Sequence, residues 1–282
     1  MSESTQDTTK TRHQLSRTYK VSASPSIGAA TSHESVLGKG TSTGKVLYPF
    51  IQNYHRIKQY NNYSDYFKQV CSGIEDIPTG KYKSLKKKLG NEPVIHVRHL
   101  QDRGSKSAPT DYISIIRRVP DMLHYCGYVG VLSAHPLYGI DYSSYSDEVN
   151  DLLHPHGGVT WVGHNPIGVD IADVPGSSSQ IKRLYENLWF IGFDCAHSGD
   201  LIPGMMTNKM LDIMGSFSLQ GTNVYRDYNY LSSQVTKLYN SCTTIQALDP
   251  IVLSDAIPNI IGNTHPDSKD YYTQKYRGNG QK

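Results

Sequence analysis

The sequence predicts an α+β fold: a mostly antiparallel sheet with flanking helices, one main domain between a disordered polar N-terminal arm and a polar tail. Three observations carry this prediction. Five short apolar runs between Pro93 and Asp194 have strand-like alternation or length. One longer amphipathic run follows them at Tyr225–Cys242. Both ends of the chain are nearly empty of apolar clusters, so they lack the surface that offsets ordering entropy.

The elements are expected in the following order. Residues 1–45 form the arm. Residues 46–110 form a basic, Tyr- and Lys-rich extension. Within it, residues 46–70 read as a helix, because Ile51, Tyr54, Ile57, Tyr63, Phe67 and Val70 recur at roughly helical spacing. Pro78, Gly80 and the run Lys81, Lys83, Lys86, Lys87, Lys88 suggest a surface connection. Pro93–Leu100 and Tyr112–Val119 alternate as strands, and the Gly-, Ser- and Pro-bearing segment between them reads as the turn of a long hairpin. The core domain, residues 111–245, continues with Cys126–Leu132, Gly157–Val162 and Leu188–Asp194. The last is the most hydrophobic run of the chain and reads as a strand buried on both faces. Ser177–Asn187 is a short helix capped by one of its serines. In Tyr225–Cys242, Leu231, Val235, Leu238 and Cys242 share one helical face that should cover the sheet. Residues 246–282 form the C-terminal extension and tail.

Charge is unevenly placed. The net formal charge is +3, but residues 1–120 carry about +10 and the remainder about −7. The Lys81–Lys88 block suits a phosphate backbone or an acidic partner, and equally a solvated face. None of the four cysteines forms a C-x-x-C pair, which argues against a zinc knuckle or redox dithiol. The N-terminus has no apolar signal region, and no run approaches the roughly 18 apolar residues of a membrane span. The expectation is a soluble protein of a reducing compartment without a membrane partner.

Six of the twelve histidines fall between His124 and His197. Three turns concentrate the chemistry. HPLYGIDY supplies His135, Tyr138 and Asp141; HPHGGVT supplies His156, Gly157, Gly158 and Thr160; DCAHSGD supplies Asp194, His197 and Asp200. If the last three strands form a meander with Gly157–Val162 in the middle, His156 lies between His135 and Tyr138 on one side and Asp194 and His197 on the other. Gly158 and Gly192 would then leave space for a ligand. His paired with Asp orients a general base. Two Asp and two His can alternatively bind a divalent metal that activates water, although no established metal spacing appears. His154, beside Pro155, reads as a turn residue. Cys195 reads as a buried structural thiol rather than a nucleophile. GTSTGKV at Gly40–Val46 imitates a phosphate loop, but its glycine spacing is short and Val46 stands where a magnesium-binding hydroxyl belongs.

The blocks CGYVGVLSAHPLYGIDY, HGGVTW, LWFIGFDCAHSGDLIPGM and YRDYNYLSSQV, in that order over roughly residues 120–240, resemble a family of uncharacterised bacterial and bacteriophage proteins. The resemblance brings no reaction with it. It implies that His135, Tyr138, Asp141, His156, Asp194, His197 and Asp200 belong to one module. In a Lys-, Asn- and Tyr-rich chain it also points to a large DNA virus or its host, hence to host cytoplasm or virion.

Three functions follow as expectations. The first is a hydrolase or phosphodiesterase acting on a nucleotide-like substrate through the His/Asp site. The second is a non-catalytic protein that sequesters a nucleotide signal, as an immune-evasion protein would. The third is a viral structural or nucleic-acid-binding protein, in which interleaved Lys and Tyr track phosphates and stack on bases.

Overall fold

The structure, a computed structural model, describes residues 57–102, 110–141, 147–214 and 223–247. The arm, the Gly40–Val46 loop, the tail from residue 248 and the part of the expected first helix before residue 57 lie outside the described residues. No helix of the described residues is long and apolar enough to cross a membrane.

The fold is α+β. Five strands, β1 (Ile95–Asp102), β2 (Thr110–Arg118), β3 (Tyr125–Val131), β4 (Trp161–Gly163) and β5 (Trp189–Asp194), form one antiparallel sheet in the order β1-β2-β3-β5-β4. The described helices are α1 (Tyr63–Glu75), α2 (Thr79–Asn91), α3 (Asp147–Leu153), α4 (Ser179–Tyr185), α5 (Asn208–Met214) and α6 (Tyr228–Gln246). Local chemistry sets their starts. Asn62 Oδ1 accepts from the Asp65 N–H, Ser178 Oγ from Ile181 and Asp227 Oδ1 from Tyr230, each satisfying a donor that has no partner inside its helix.

Alternation along the strands gives the sheet two buried faces. On one, Ile116, Val129, Ile191 and Phe193 pack under Leu231, Val235, Leu238 and Cys242 of α6. On the other, Ile113, Ile115, Tyr128 and Phe190 meet α1, α2 and α4 through Val70, Leu89 and Ile181. Every residue of β5 is buried, as its continuous apolar run requires.

Three elements depart from the sequence-based expectation. The first helix begins at Tyr63, and residues 57–62 precede it without helical structure. The lysine run is not a connection: it lies on α2, whose Leu89 anchors it to the core. The expected first hairpin forms, with β1 paired to β2 from Asp102↔Thr110 to Ile95↔Arg117. Finally, the expected meander does not form. Gly157–Val162 yields only the three-residue edge strand β4, while β5 inserts between it and β3. A partly exposed strand with left-handed glycines at 157 and 158 cannot take the central place that β5 fills.

One buried polar assembly ties these layers together. The fully buried Arg118 guanidinium donates from Nη2 to Glu92 Oε2 at 2.9 Å and to Tyr125 Oη at 2.7 Å. Its Nη1 donates to the Leu123 carbonyl at 3.0 Å and to Tyr225 Oη at 2.9 Å. The Tyr225 hydroxyl donates in turn to Glu92 Oε2, and the Tyr228 N–H to Glu92 Oε1. The end of α2, strands β2 and β3 and the entry to α6 thus meet on one ion pair. Removing one partner leaves an uncompensated buried charge. Arg118→Ala is therefore expected to lose about 3–5 kcal/mol of unfolding free energy in urea, and Arg118→Met with Glu92→Leu to recover most of it. A loss under about 1 kcal/mol in the single variant would show that the pair is not structural.

Candidate functional site

The C-terminal end of β5 continues into a turn that carries Asp194, His197 and Asp200. The Asp194 side chain accepts from its own turn at Ala196 N, 2.9 Å, and Asp200 Oδ2 accepts from His197 N, 3.0 Å. Gly199, at φ +89°, lets the chain reverse so that Asp200 bridges to Val224, just ahead of α6. The turn before β4 delivers His156 to the same place. The result is a hydrogen-bonded chain of four side chains. Tyr230 Oη lies 2.9 Å from His156 Nδ1, His156 Nε2 lies 2.7 Å from Asp200 Oδ2, and Arg226 Nε donates to Asp200 Oδ1 at 2.8 Å.

This chain fixes the protons. Asp200 can only accept when ionised, so His156 Nε2 carries the hydrogen and Nδ1 is left to accept from the Tyr230 hydroxyl. Burial would raise the Asp200 carboxyl, whose side chain is 1% exposed, but the bonds from His156 and Arg226 overcome it and hold the pKa below the usual carboxylate range. Burial raises the Tyr230 phenol, which keeps its proton and donates. Arg226, which precedes the Asp227 cap of α6, also stacks over the Tyr230 ring at 4.8 Å.

A second His–carboxylate pair adjoins the first. His197 Nε2 stands 3.7 Å from Asp194 Oδ1, and the His156 and His197 rings meet edge-on at 5.4 Å. Asp194 is likewise held low: burial opposes, while His197, His124 and the Thr160 hydroxyl prevail. Gly157 is the residue that admits this ring. Its φ is +68°, and a Cβ there would stand 2.1 Å from His197 Nε2.

The remaining expected residues sit elsewhere or act differently. Val131, at the end of β3, pairs with Trp189, whereas Asp194 pairs with Cys126 at the start of β3. His135 and Tyr138, which follow β3, therefore lie at the other end of the sheet, roughly 16 Å along β5. His135 is buried with both ring nitrogens occupied: Nε2 bonds the Cys242 carbonyl at 2.9 Å and Nδ1 accepts from Leu137 N at 3.1 Å. Tyr138 packs against His164 and Trp189, and Asp141 is exposed. The space over Gly192 is filled by the Tyr128 ring, and Gly158 adjoins Asn150. His154, at φ +49°, closes α3 through its N–H to the Asn150 carbonyl. Cys195 is buried, which pushes its thiol far up and keeps it protonated. Among the described residues no three His, Cys, Asp or Glu side chains converge as a metal-ligand set. On α2, Lys86 binds Glu75 and Lys88 binds Asp227, leaving Lys81, Lys83 and Lys87 exposed and outside these ion pairs.

Three participants escape the sequence reading. Arg226 and Tyr230 could be suspected from their spacing of four around the cap Asp227. His124 precedes β3, and the strand order brings it beside Asp194.

Comparison with protein-family models, curated proteins and solved structures gives no match for the chain. The site's chemistry therefore rests on its own geometry.

Two predictions follow from these environments. Burial, partly offset by Asp194 for His124 and by the Cys242 carbonyl for His135, lowers both rings to about 4. In the unfolded chain they titrate near about 6.5, so between these values the unfolded state binds more protons and stability falls as pH falls. Between pH 7 and 5 each ring should cost about 2 kcal/mol, and His135→Gln should show a shallower decline of unfolding midpoint with pH than the parent protein. A parallel decline in the two would count against a neutral buried His135. Gly157→Ala should cost about 1–2 kcal/mol through its left-handed backbone and displace the His197 ring, seen as shifted His197 resonances in NMR.

Proposed function

We propose that the protein is a hydrolase of nucleotide-like phosphodiesters, with His156 as general base and His197 as general acid. The observation that carries this reading is the Tyr230–His156–Asp200–Arg226 chain. Asp200 holds the imidazole in the tautomer with a lone pair on Nδ1 and stabilises the imidazolium that forms when that atom takes a proton. A water that displaces the Tyr230 hydroxyl gives its proton to Nδ1 as its oxygen attacks phosphorus. His197, with Nε2 turned to Asp194, protonates the departing oxygen from Nδ1. Both histidines are partly exposed, and Arg226 at the rim supplies positive charge to an anionic substrate.

Phosphoryl substrates suit the site because two histidines backed by two carboxylates provide base and acid together, without a covalent intermediate. The test is turnover of bis(p-nitrophenyl) phosphate and of a panel of linear and cyclic dinucleotides. His156→Ala and Asp200→Asn are expected to lower kcat by about 10²- to 10⁴-fold with little change in thermal midpoint. Tyr230→Phe, which removes only the displaced hydroxyl, should retain most activity. Tight binding of a dinucleotide recovered unchanged, with no turnover by the parent protein, would overturn the catalytic assignment in favour of a sequestering role.

A further inference from the structure

Beside the histidine pair, on the α1 face of the sheet, three residues share one row across three strands: Arg117, Cys126 and Asp194. A small cavity of about 20 Å³ opens over this row. Its floor includes Arg117, Cys126, Tyr128 and Asp194, all buried, and its rim includes the partly exposed Thr160 and Trp161. The volume admits about one oxygen-sized group, so a larger anion can only insert one of its oxygens and rest at the mouth.

The charges in this cavity are unequally satisfied. Asp194 accepts from Ala196 N–H, shares the cavity lining with Thr160 and faces His197. Arg117, also buried, has only phenols near its charge: its Nε donates to Tyr128 Oη at 3.2 Å, its guanidinium lies over the Tyr128 ring, and it acts electrostatically on the Tyr66 phenol. Among the described residues no carboxylate forms an ion pair with it. A buried cation without a directly bonded counter-ion keeps much of its desolvation cost, even with the Asp194 carboxylate lining the same cavity. That cost is relieved if an anion completes the cavity.

We propose that this cavity is the inner end of a phosphate-binding subsite, in which one phosphoryl oxygen enters toward Arg117 and the P–OH at the mouth donates a hydrogen bond to the Asp194 carboxylate. The second half follows from the pairing of donor and acceptor. An oxyanion that enters beside an ionised carboxylate is tolerated only if it brings a hydrogen to share. Inorganic phosphate keeps a P–OH through neutrality and a phosphate monoester keeps one below its second pKa of about 6, whereas sulfate has none and leaves two oxyanions facing each other. The subsite thus selects phosphate over sulfate, and it suits a terminal phosphate rather than the bridging diester. It goes beyond the hydrolytic reading and survives its failure, because binding here is measured without turnover.

The experiment is calorimetric titration of the full chain with inorganic phosphate and with sulfate at constant ionic strength and pH 6.5. Saturable phosphate binding is expected, with sulfate at least 10-fold weaker. Arg117→Met should abolish phosphate binding, Asp194→Asn should narrow the preference for phosphate over sulfate, and His156→Ala should leave binding intact. Thr160→Leu, which fills the rim from a partly exposed position, serves if Arg117→Met fails to fold, and should weaken phosphate as well. Absence of saturable binding, equal affinity for sulfate, or unchanged binding in both cavity variants would overturn the subsite. Loss of hydrolysis in His156→Ala with phosphate binding retained separates this inference from the catalytic one.

Discussion

The buried Arg118–Glu92 pair is the interaction on which the rest of the structure depends. It lies where β2, β3, the end of α2 and the entry to α6 converge, and its phenolic partners Tyr125 and Tyr225 come from two of those elements. Desolvating two such charges costs several kcal/mol, and their attraction offsets this only when the surrounding hydrogen bonds are complete. Here they nearly are: both terminal nitrogens and both carboxylate oxygens are engaged. The functional consequence is positional. Glu92 holds Tyr225 and the Tyr228 N–H, and between and just after these residues lie Arg226 and Tyr230. The pair therefore sets the angle at which α6 brings its first turn to Asp200.

The site shows the same economy of charge on a smaller scale. Asp200 is nearly dry, yet it stays ionised because an arginine and an imidazole each take one of its oxygens. A carboxylate so held has little freedom to rotate, and the imidazole it orients turns its other nitrogen to the Tyr230 hydroxyl. The neighbouring Asp194–His197 pair is looser and more open. Gly157 lets the two pairs approach, since a side chain at that position would occupy the space of His197.

Much of this was legible one element at a time. The hairpin, the buried run at β5, the serine-capped helix and the apolar face of α6 were readable because local spacing and capping chemistry dictate them. His156, Asp194, His197 and Asp200 were readable as candidates because polar, ionisable residues crowd into turns next to apolar runs. What went astray was strand order. Placing β5 between β3 and β4 reverses which end of β3 adjoins the site, so His124 comes beside Asp194 and His135 and Tyr138 are carried to the far end. Glycines 158 and 192 show the same limit: their positions were evident, but whether a ligand, a ring or an amide fills the space over them is a matter of neighbours.

By itself, the sequence determined the α+β class, the approximate elements, and a His/Asp-rich region around residues 156–200. These are consequences of period, composition and turn chemistry, which act over a few residues. Only the tertiary structure decided which carboxylate pairs with which histidine, that Arg226 and Tyr230 complete the chain, and that Arg117 lies buried in the same row as Asp194 without a direct ion pair among the described residues. Those facts depend on strand order and on how α6 docks. Both are set by long-range burial and by the Arg118–Glu92 pair, whose members stand 26 residues apart in the chain. Spacing along the sequence carries no trace of such a contact.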